Sequence, residues 1–142
     1  PIEVFDWSID VNLRSQLYFD HAAFGVMKEQ NSGVLMHIGS VTGAEGGSNV
    51  PGYSASKSGV MNGLTISMAQ LGAQYGIRSV CVSPGPVLTR ANMANMKTLL
   101  GRAAQPQEIV DLVLFLASEK GQFINGENIM IDGGRNAMGR WS

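Results

Sequence analysis

The sequence predicts an α/β fold in which helices alternate with parallel strands. Three short apolar runs, each bounded by turn residues, are typical of buried strands. Longer segments with apolar side chains at helical spacing precede these runs. Because a helix between two strands carries the chain back across the sheet, this order predicts right-handed crossovers and a parallel sheet. Glycine accounts for 18 of the 142 residues, well above its average share of about 7%, which predicts tight turns and close backbone packing.

The predicted elements follow one another as helix, strand, helix, strand, helix and strand. In chain order, the helices are residues 6–30, 53–75 and 106–118, and the strands are residues 34–38, 77–82 and 128–132. Asn31-Ser32-Gly33 follows the first helix and Gly76 follows the second, and asparagine or glycine adopts the left-handed backbone that ends a helix. Residues 39–52 are predicted as a loop. Residues 87–102 are predicted as a loop with one or two short helices.

This predicted sheet is too small for the helices around it. The two long helices carry more apolar and small residues than one face of a thin sheet covers. Gly59, Gly63 and Ala69 lie in the second helix, where each glycine costs about 1 kcal/mol relative to alanine. We therefore expect close packing against another backbone at these positions, and an architecture that is part of a larger α/β sheet.

Charge and hydropathy exclude several kinds of partner. Ten basic residues against 11 acidic ones give a net charge of −1, so we expect neither nucleic acid nor an anionic membrane surface as a partner. The most apolar run, residues 109–117, is far shorter than the roughly 20 residues that span a bilayer. The N-terminal segment is acidic rather than basic, and the single Cys81 fits a reducing compartment. We therefore expect a cytoplasmic protein without a metal site.

Three polar side chains are expected to meet at the carboxyl ends of the strands, where open α/β sheets bind ligands. Ser40 follows the first strand, while Tyr53 and Lys57 open the second helix four residues apart and so share one helical face. A phenol has a pKa of about 10 in water, and a lysine cation beside it stabilises the phenolate. In this arrangement, Ser40 holds a carbonyl oxygen by a hydrogen bond while Tyr53 gives or takes the proton.

Five segments of the chain also occur in the order and at the spacing of a known family. They are Val11-Asn12-Leu13, Ser40, Tyr53-x-x-x-Lys57, Pro84-Gly85-x-x-x-Thr89 and Ile131-Asp132-Gly133-Gly134. Ser40 lies 28 residues after Asn12 and 13 residues before Tyr53. In these motifs, which extend over essentially the whole chain, the sequence resembles the short-chain dehydrogenase/reductase family.

The resemblance implies a Rossmann-like, doubly wound parallel sheet and hydride transfer between NAD(H) or NADP(H) and a small-molecule alcohol or carbonyl. Tyr53 is then the general acid/base. Lys57 stabilises its phenolate and hydrogen-bonds the nicotinamide ribose, and Ser40 orients the substrate oxygen. Asn12 holds a water of the proton relay through its main chain, at an irregularity of the helix.

The resemblance also implies where the nicotinamide ring binds. Val87 and Thr89 contact its carboxamide, and the Pro84-Gly85 turn lets the backbone approach the ring. Residues 41–50 and 88–102 are expected to line a substrate pocket that is mainly apolar and uncharged. The methionine-rich part of the second segment is interpreted as a substrate lid, with packing in the core as the alternative.

The chain departs from the family pattern in its first half. The family begins with a cofactor half, whose T-G-x-x-x-G-x-G loop cradles the pyrophosphate, and this sequence contains no such loop. We therefore expect residues 1–142 to form one partial domain, the C-terminal catalytic half of about three strands, with the dinucleotide-binding half missing. Two explanations stay open: a piece of a longer protein whose first half is a separate segment, which we favour, or a half-length gene product. The choice between NAD and NADP stays open with them.

A non-catalytic assembly module is the alternative function. In the family, the two long helices and the last strand pair subunits, so the resemblance implies a homo-oligomer, either a dimer or a tetramer. Retention of Ser40, Tyr53 and Lys57 favours an enzyme, because a scaffold has no use for a lysine one turn from a tyrosine. His37 stands where the family usually has asparagine, and we expect it to be structural.

Overall fold

The computed structural model describes residues 1–138, and residues 139–142 of the predicted domain lie outside this range. Two of the helices are interrupted by π-helical segments, in which the backbone is wider than in an α-helix. In chain order the elements are α1 (Ile2–Ile9), a first π-helical segment (Asp10–Arg14), α2 (Ser15–Gln30), β1 (Gly33–Ile38), α3 (Val41–Glu45), α4 (Pro51–Gly59), a second π-helical segment (Val60–Leu64), α5 (Thr65–Gly72), a 3-10 helix (Ala73–Tyr75), β2 (Ile77–Pro84), a 3-10 helix (Ala91–Asn95), α6 (Pro106–Ala117), a 3-10 helix (Glu119–Gly121), β3 (Asn128–Ile131) and α7 (Arg135–Met138).

The three strands form one parallel sheet in the order β1-β2-β3, which confirms the predicted α/β class. Each predicted strand is present, with shifted ends: β1 begins one residue earlier, β2 continues to Pro84, and β3 ends one residue earlier. The extension of β2 follows from its central position, because its last residues pair with β3 after the pairing with β1 has ended at Ile38. This sheet places the ends of β1 and β2 side by side.

Both long helices begin earlier than predicted. The first begins at Ile2, with Pro1 as its N-cap residue, and the second begins at Pro51. Proline fits the first turn of the second helix because its missing amide proton costs nothing there. Each π-helical segment has a hydroxyl side chain directly after it. Thr65 Oγ1 donates a 2.7 Å hydrogen bond to the Val60 carbonyl, and Ser15 Oγ donates to the Val11 carbonyl. The first of these segments contains Asn12, so the helix irregularity implied by the resemblance is present.

The prediction of a continuous loop over residues 39–52 was wrong, because this stretch contains the short helix α3. Ser40 is its N-cap residue, with an extended backbone at φ −163° and a side-chain oxygen that accepts from the Thr42 amide. A five-residue helix is too short to show apolar periodicity in the sequence, so only the tertiary structure reveals it. The prediction for residues 87–102 was better, since they contain one short helix, Ala91–Asn95.

Different helices cover the two faces of the sheet. On one face, the long helices place Met68 in a buried cluster with Leu35 of β1. On the other face, Leu116 of α6 packs with Val80 of β2 in a second cluster. Burial of each such side chain contributes about 1.5–3 kcal/mol. The sheet is therefore a central layer, and Ile38 at the end of its edge strand β1 is 44% exposed.

Close packing at the helix glycines is confirmed at only part of the predicted positions. A Cβ added at Gly59 would lie 3.1 Å from a methyl carbon of Leu13, so this glycine lets the two long helices approach each other. A Cβ added at Gly63 would meet nothing within 4 Å, so the prediction was wrong there. Gly63 is exposed to solvent, and its position in the sequence does not show which face of the helix it occupies.

Apolar side chains stay exposed on the first long helix. Trp7 is 65% exposed and Phe19 is 73% exposed, which is more than a solvated helix face needs. Within residues 1–138, no helix is long and apolar enough to cross a membrane. The same part of the chain holds no group of three His, Cys, Asp or Glu side chains placed to bind a metal ion.

Candidate active site

A cleft of about 590 Å³ opens beside the carboxyl ends of β1 and β2. Its lining brings together several of the residues predicted from the sequence. They are Ser40, Tyr53, Gly85, Val87 and Thr89. The other predicted site residues, Asn12, Lys57 and Pro84, do not line the cleft. Asn12 and Lys57 contact residues next to it, as described below, and Pro84 is the last residue of β2.

Ser40 is held in place by α3, the helix that it caps. Its Oγ accepts a hydrogen bond from the Thr42 amide at 3.2 Å, and the residue is 9% exposed. A serine hydroxyl carries one proton in addition to its acceptor sites. Because the capping bond uses only an acceptor site, Ser40 can donate its proton to an oxygen atom of a molecule bound in the cleft.

Tyr53 and Lys57 lie one turn apart on α4. Lys57 Nζ is 5.8 Å from the centroid of the Tyr53 ring, and Tyr53 is 36% exposed. Nζ also donates a 2.9 Å hydrogen bond to the carbonyl of Ile38. Burial lowers the pKa of Lys57 from its usual 10.5, and Cys81 partly offsets that decrease. Lys57 thus attaches the start of α4 to the end of β1 and brings an ammonium group close to the tyrosine ring.

The Asn12 side chain joins the two long helices on the inner side of Tyr53. Its Nδ2 donates a 3.1 Å hydrogen bond to Ser56 Oγ, and Ser56 Oγ donates a 2.8 Å hydrogen bond to the Tyr53 carbonyl. Ser56 is fully buried. Sequence reasoning missed Ser56, although its position three residues after Tyr53 places it next to the tyrosine on the helix. Asn12 therefore acts through Ser56 on the backbone of the tyrosine.

Gly85 has a packing role that the sequence did not indicate. The Gly85 amide donates a 3.0 Å hydrogen bond to the Ile131 carbonyl. A Cβ added at Gly85 would lie 2.7 Å from the Cβ of Asp132, which is shorter than side chains tolerate. Glycine is therefore needed here to let the turn after β2, which begins at Pro84, approach the turn after β3.

Thr89 and Arg90 follow this turn, and the contact of Thr89 with a nicotinamide carboxamide stays a prediction. Thr89 does not cap the next helix, because Arg90 is the N-cap residue of Ala91–Asn95. Thr89 Oγ1 instead lies 3.4 Å from the Val87 carbonyl. Arg90 lines the cleft, so the prediction of an uncharged pocket was wrong. The prediction of an apolar lining considered the methionines of this segment and overlooked Arg90 beside them.

The methionines of this segment lie in the wall of the cleft and not in the core. Met93 and Met96 are half-buried and line the cleft beside Tyr53. Leu99 and Leu100 are 64% and 71% exposed. The alternative of core packing was therefore wrong for this segment, and its action as a lid stays a prediction.

A second polar cluster lies below the cleft and is closed to solvent. His37 and the Asp20 side chain are 0% and 2% exposed, and His37 Nε2 lies 2.8 Å from Asp20 Oδ2. His37 Nδ1 lies 2.8 Å from Thr65 Oγ1. Because the single Thr65 hydroxyl proton is donated to the Val60 carbonyl, Thr65 accepts from Nδ1, which must carry a proton. His37 therefore joins α2, β1 and α5, as expected for a structural residue.

Comparison with known proteins places the chain in a family. The family model described as enoyl-(acyl carrier protein) reductase matches residues 1–136. The chain is 34% identical to 7alpha-hydroxysteroid dehydrogenase of Bacteroides fragilis over 143 residues, covering 94% of the chain and 55% of that protein. It is 38% identical to trans-4-hydroxycyclohexanecarboxylate dehydrogenase of Sinomonas cyclohexanicum over 141 residues, covering 95% of the chain and 54% of that protein.

A solved structure gives the same result for the fold. The chain superimposes on the 3-oxoacyl-[acyl-carrier protein] reductase of Brucella melitensis with bound NAD at a TM-score of 0.86 and 27% identity, over 96% of the chain and 53% of that structure. This likeness confirms the predicted Rossmann-like class. The chain spans about half the length of the curated relatives that it matches. It belongs to the short-chain dehydrogenase/reductase family.

Proposed function

We propose that the intact protein containing this chain interconverts a secondary alcohol and a carbonyl compound by hydride transfer, with NAD or NADP as cofactor. One observation carries this proposal: Ser40 and Tyr53 line the same cleft, and Lys57 lies one turn from Tyr53 on the same helix. Both similar enzymes are named as dehydrogenases of ring hydroxyl groups, and the similar structure holds NAD. These names support the reaction type and leave the substrate of this protein open.

The residues around Tyr53 fit the nicotinamide end of such a cofactor. The cleft offers the hydroxyl of Thr89 and the backbone of Val87 beside Tyr53, and Lys57 adds an ammonium donor close to the tyrosine ring. When bound, the nicotinamide supplies or accepts the hydride. Because the sequence has no T-G-x-x-x-G-x-G loop, we assign the pyrophosphate and adenosine contacts to another segment of the intact protein.

In this proposal Tyr53 moves the proton at its hydroxyl oxygen. For alcohol oxidation it takes the hydroxyl proton of the substrate, and for carbonyl reduction it donates a proton to the oxygen. The ammonium group of Lys57 stabilises the phenolate form that this transfer needs. Ser40 donates its free proton to the same substrate oxygen and so stabilises the developing negative charge. Asn12, through Ser56, keeps the Tyr53 backbone in position.

A nicotinamide assay of the intact protein tests the proposal. The panel contains cyclohexanol, trans-4-hydroxycyclohexanecarboxylate and a 7α-hydroxysteroid, each with NAD⁺ and with NADP⁺, together with the corresponding ketones and reduced cofactors. We expect reduced cofactor to form with at least one alcohol and the Tyr53→Phe variant to abolish it. Turnover of a substrate that survives in Tyr53→Phe, or no turnover of any secondary alcohol or ketone, contradicts the proposal.

The exposed aromatic side chains of the first long helix favour a second, compatible property. Trp7, Tyr18 and Phe19 are 65%, 65% and 73% exposed. We propose that a second copy of the intact protein covers this face in a homo-oligomer. Light scattering after size exclusion tests it: Phe19→Asp is expected to reduce the mass, and an unchanged mass contradicts this assignment. A protein that assembles but fails the nicotinamide assay would instead be the non-catalytic assembly module.

A further inference from the structure

Arg90 is the one charged side chain among the residues that line the cleft. The lining around it is largely apolar, with Val41, Val50, Met93 and Met96 among its residues. The same cleft presents the hydroxyl groups of Ser40 and Tyr53, at which we place the reaction. A substrate bound at these hydroxyl groups therefore shares its cleft with a guanidinium group.

The other arginines of residues 1–138 have partners within the chain, and Arg90 differs from them. Arg14, Arg102 and Arg135 form ion pairs with carboxylates, while Arg78 donates to two carbonyl oxygens. None of the ion pairs or side-chain hydrogen bonds within residues 1–138 involves the Arg90 guanidinium group. Arg90 is exposed, and among the described residues its guanidinium has no partner for any of its five donor hydrogens.

A substrate that covers an unpartnered guanidinium group displaces its water. This displacement is unfavourable unless the substrate supplies an acceptor in return, and a neutral apolar group supplies none. A carboxylate suits this position, because its two oxygens accept parallel hydrogen bonds from the planar guanidinium. A phosphate monoester, with a charge of about −1.5 to −2, suits it less well, since the cleft presents a single cation.

We propose that Arg90 forms a carboxylate subsite and that the substrate is a hydroxy acid or keto acid with an apolar body. The apolar body contacts the methionine and valine side chains, and the carboxylate pairs with Arg90, while the reacting carbon lies at Ser40 and Tyr53. This inference rests on the proposed function for the location of the reaction. Arg90 selects the substrate and takes no part in the proton transfer.

Kinetics on two substrates that share a ring and differ in charge test the subsite in the intact protein. The pair is trans-4-hydroxycyclohexanecarboxylate and its methyl ester, compared in wild type, Arg90→Gln, Arg90→Lys and Lys97→Gln. Lys97 is a matched control, because it is an exposed cation of the same segment that does not line the cleft. We expect Arg90→Gln to lower kcat/KM for the acid roughly 10- to 100-fold, the range of a charge-assisted hydrogen bond, through KM and not kcat. The ester should be unaffected, Arg90→Lys intermediate and Lys97→Gln like wild type.

Two results overturn the inference while the proposed function stands. One is wild-type kcat/KM that is equal for acid and ester. The other is an Arg90→Gln effect that is equal on both substrates or appears in the KM of the cofactor, which would place the guanidinium at a cofactor phosphate.

A binding measurement keeps the inference testable if no turnover is found. Saturation-transfer NMR with cyclohexanecarboxylate, competed by its methyl ester, reads the subsite without catalysis. Binding of the acid that is lost in Arg90→Gln and retained in Lys97→Gln supports the subsite even if the proposed reaction fails. Binding that is equal in the two variants, or absent from wild type, rejects the subsite.

Discussion

Two polar clusters of this protein include residues only three positions apart, His37 within β1 and Ser40 just after it, and the two clusters differ in their hydrogen bonding. The cluster at His37 is closed to solvent, and His37 has a partner at both ring nitrogens, Thr65 and Asp20. The cluster at Ser40 and Tyr53 lines an open cleft, and Ser40 uses only an acceptor site within the chain. The polar groups of His37 are thus fully hydrogen-bonded within the chain and hold the fold, whereas Ser40 keeps a donor that a ligand can use.

The contrast also explains why the two clusters occupy these places. His37 lies within β1, where side chains on one face point into the helices, and an unpaired polar group there would cost about 1–3 kcal/mol. Ser40 follows the strand, where the chain leaves the sheet and opens onto the cleft. Within the strand, both ring nitrogens of His37 have partners, whereas Ser40 after the strand keeps its proton free for a ligand.

The largest expected effect is on catalysis, from Tyr53→Phe. In the proposed mechanism this change removes the hydroxyl that transfers the proton, so we expect kcat to fall by about 10²–10⁴-fold, the usual contribution of general acid–base catalysis. The midpoint of chemical unfolding should stay within error of wild type, because Tyr53 is 36% exposed. A variant that keeps its kcat, or that unfolds early, would show that Tyr53 belongs with the structural residues.

The corresponding change in the closed cluster, Asp20→Ala, should act on stability. It leaves the buried Nε2 of His37 without its hydrogen-bond partner, and an unsatisfied buried polar group costs about 1–3 kcal/mol. The measurement is the free energy of unfolding in urea. Gln16→Ala is the matched control, since Gln16 donates to the other Asp20 oxygen at 3.1 Å, and its loss should cost about 0.5–1.5 kcal/mol. Unchanged stability with reduced kcat would assign Asp20 to catalysis.

Lys57→Ala tests the one cation that connects the cleft to the sheet. In the proposed mechanism the change removes the ammonium group near the Tyr53 ring, so the oxidation rate should fall because the phenolate form is no longer stabilised. In wild type, burial lowers the pKa of Lys57 below 10.5, so the cation is lost and the rate declines before that pH is reached. A pH–rate profile of both proteins measures these effects. A decline at high pH that is the same in Lys57→Ala as in wild type would contradict the role of Lys57.

The smallest effect on stability is expected from Glu108→Gln, which breaks the exposed ion pair between Glu108 and Arg102. Hydrogen bonds from Arg102 and from the Gln105 amide lower the pKa of Glu108 from 4.5 to about 2. A carboxylate with a lowered pKa stabilises the folded state above pH 4.5, and this stabilisation is lost as the pH falls from 4.5 to about 2.

Thermal unfolding from pH 7 to pH 2 checks this sign. Wild type and Glu108→Gln should differ slightly at pH 7 and converge at low pH, because surface pairs contribute little. A difference that grows toward low pH would contradict it. A loss of stability as large as that expected for Asp20→Ala would show that the exposed Arg102–Glu108 pair contributes as much as the buried contact of His37 with Asp20.

Much of the site was predictable because its residues are close in sequence or follow recognisable strand ends. Tyr53 and Lys57 share a helix, so their spacing alone places them on one face. Ser56 was missed because its role depends on Asn12, which lies 44 residues away. Arg90 was missed because an arginine beside apolar residues is read as a surface charge until the cleft is visible.

The sequence by itself determined the order of helices and strands, the parallel sheet and the spacing of Ser40, Tyr53 and Lys57. These features depend on local periodicity and on spacing within single elements, which a linear chain contains in full. Only the tertiary structure decided the partners of His37, the packing that requires glycine at Gly85 and the place of Arg90 in the cleft. Each of these depends on side chains that are distant in the chain and meet only when the sheet brings its strand ends together.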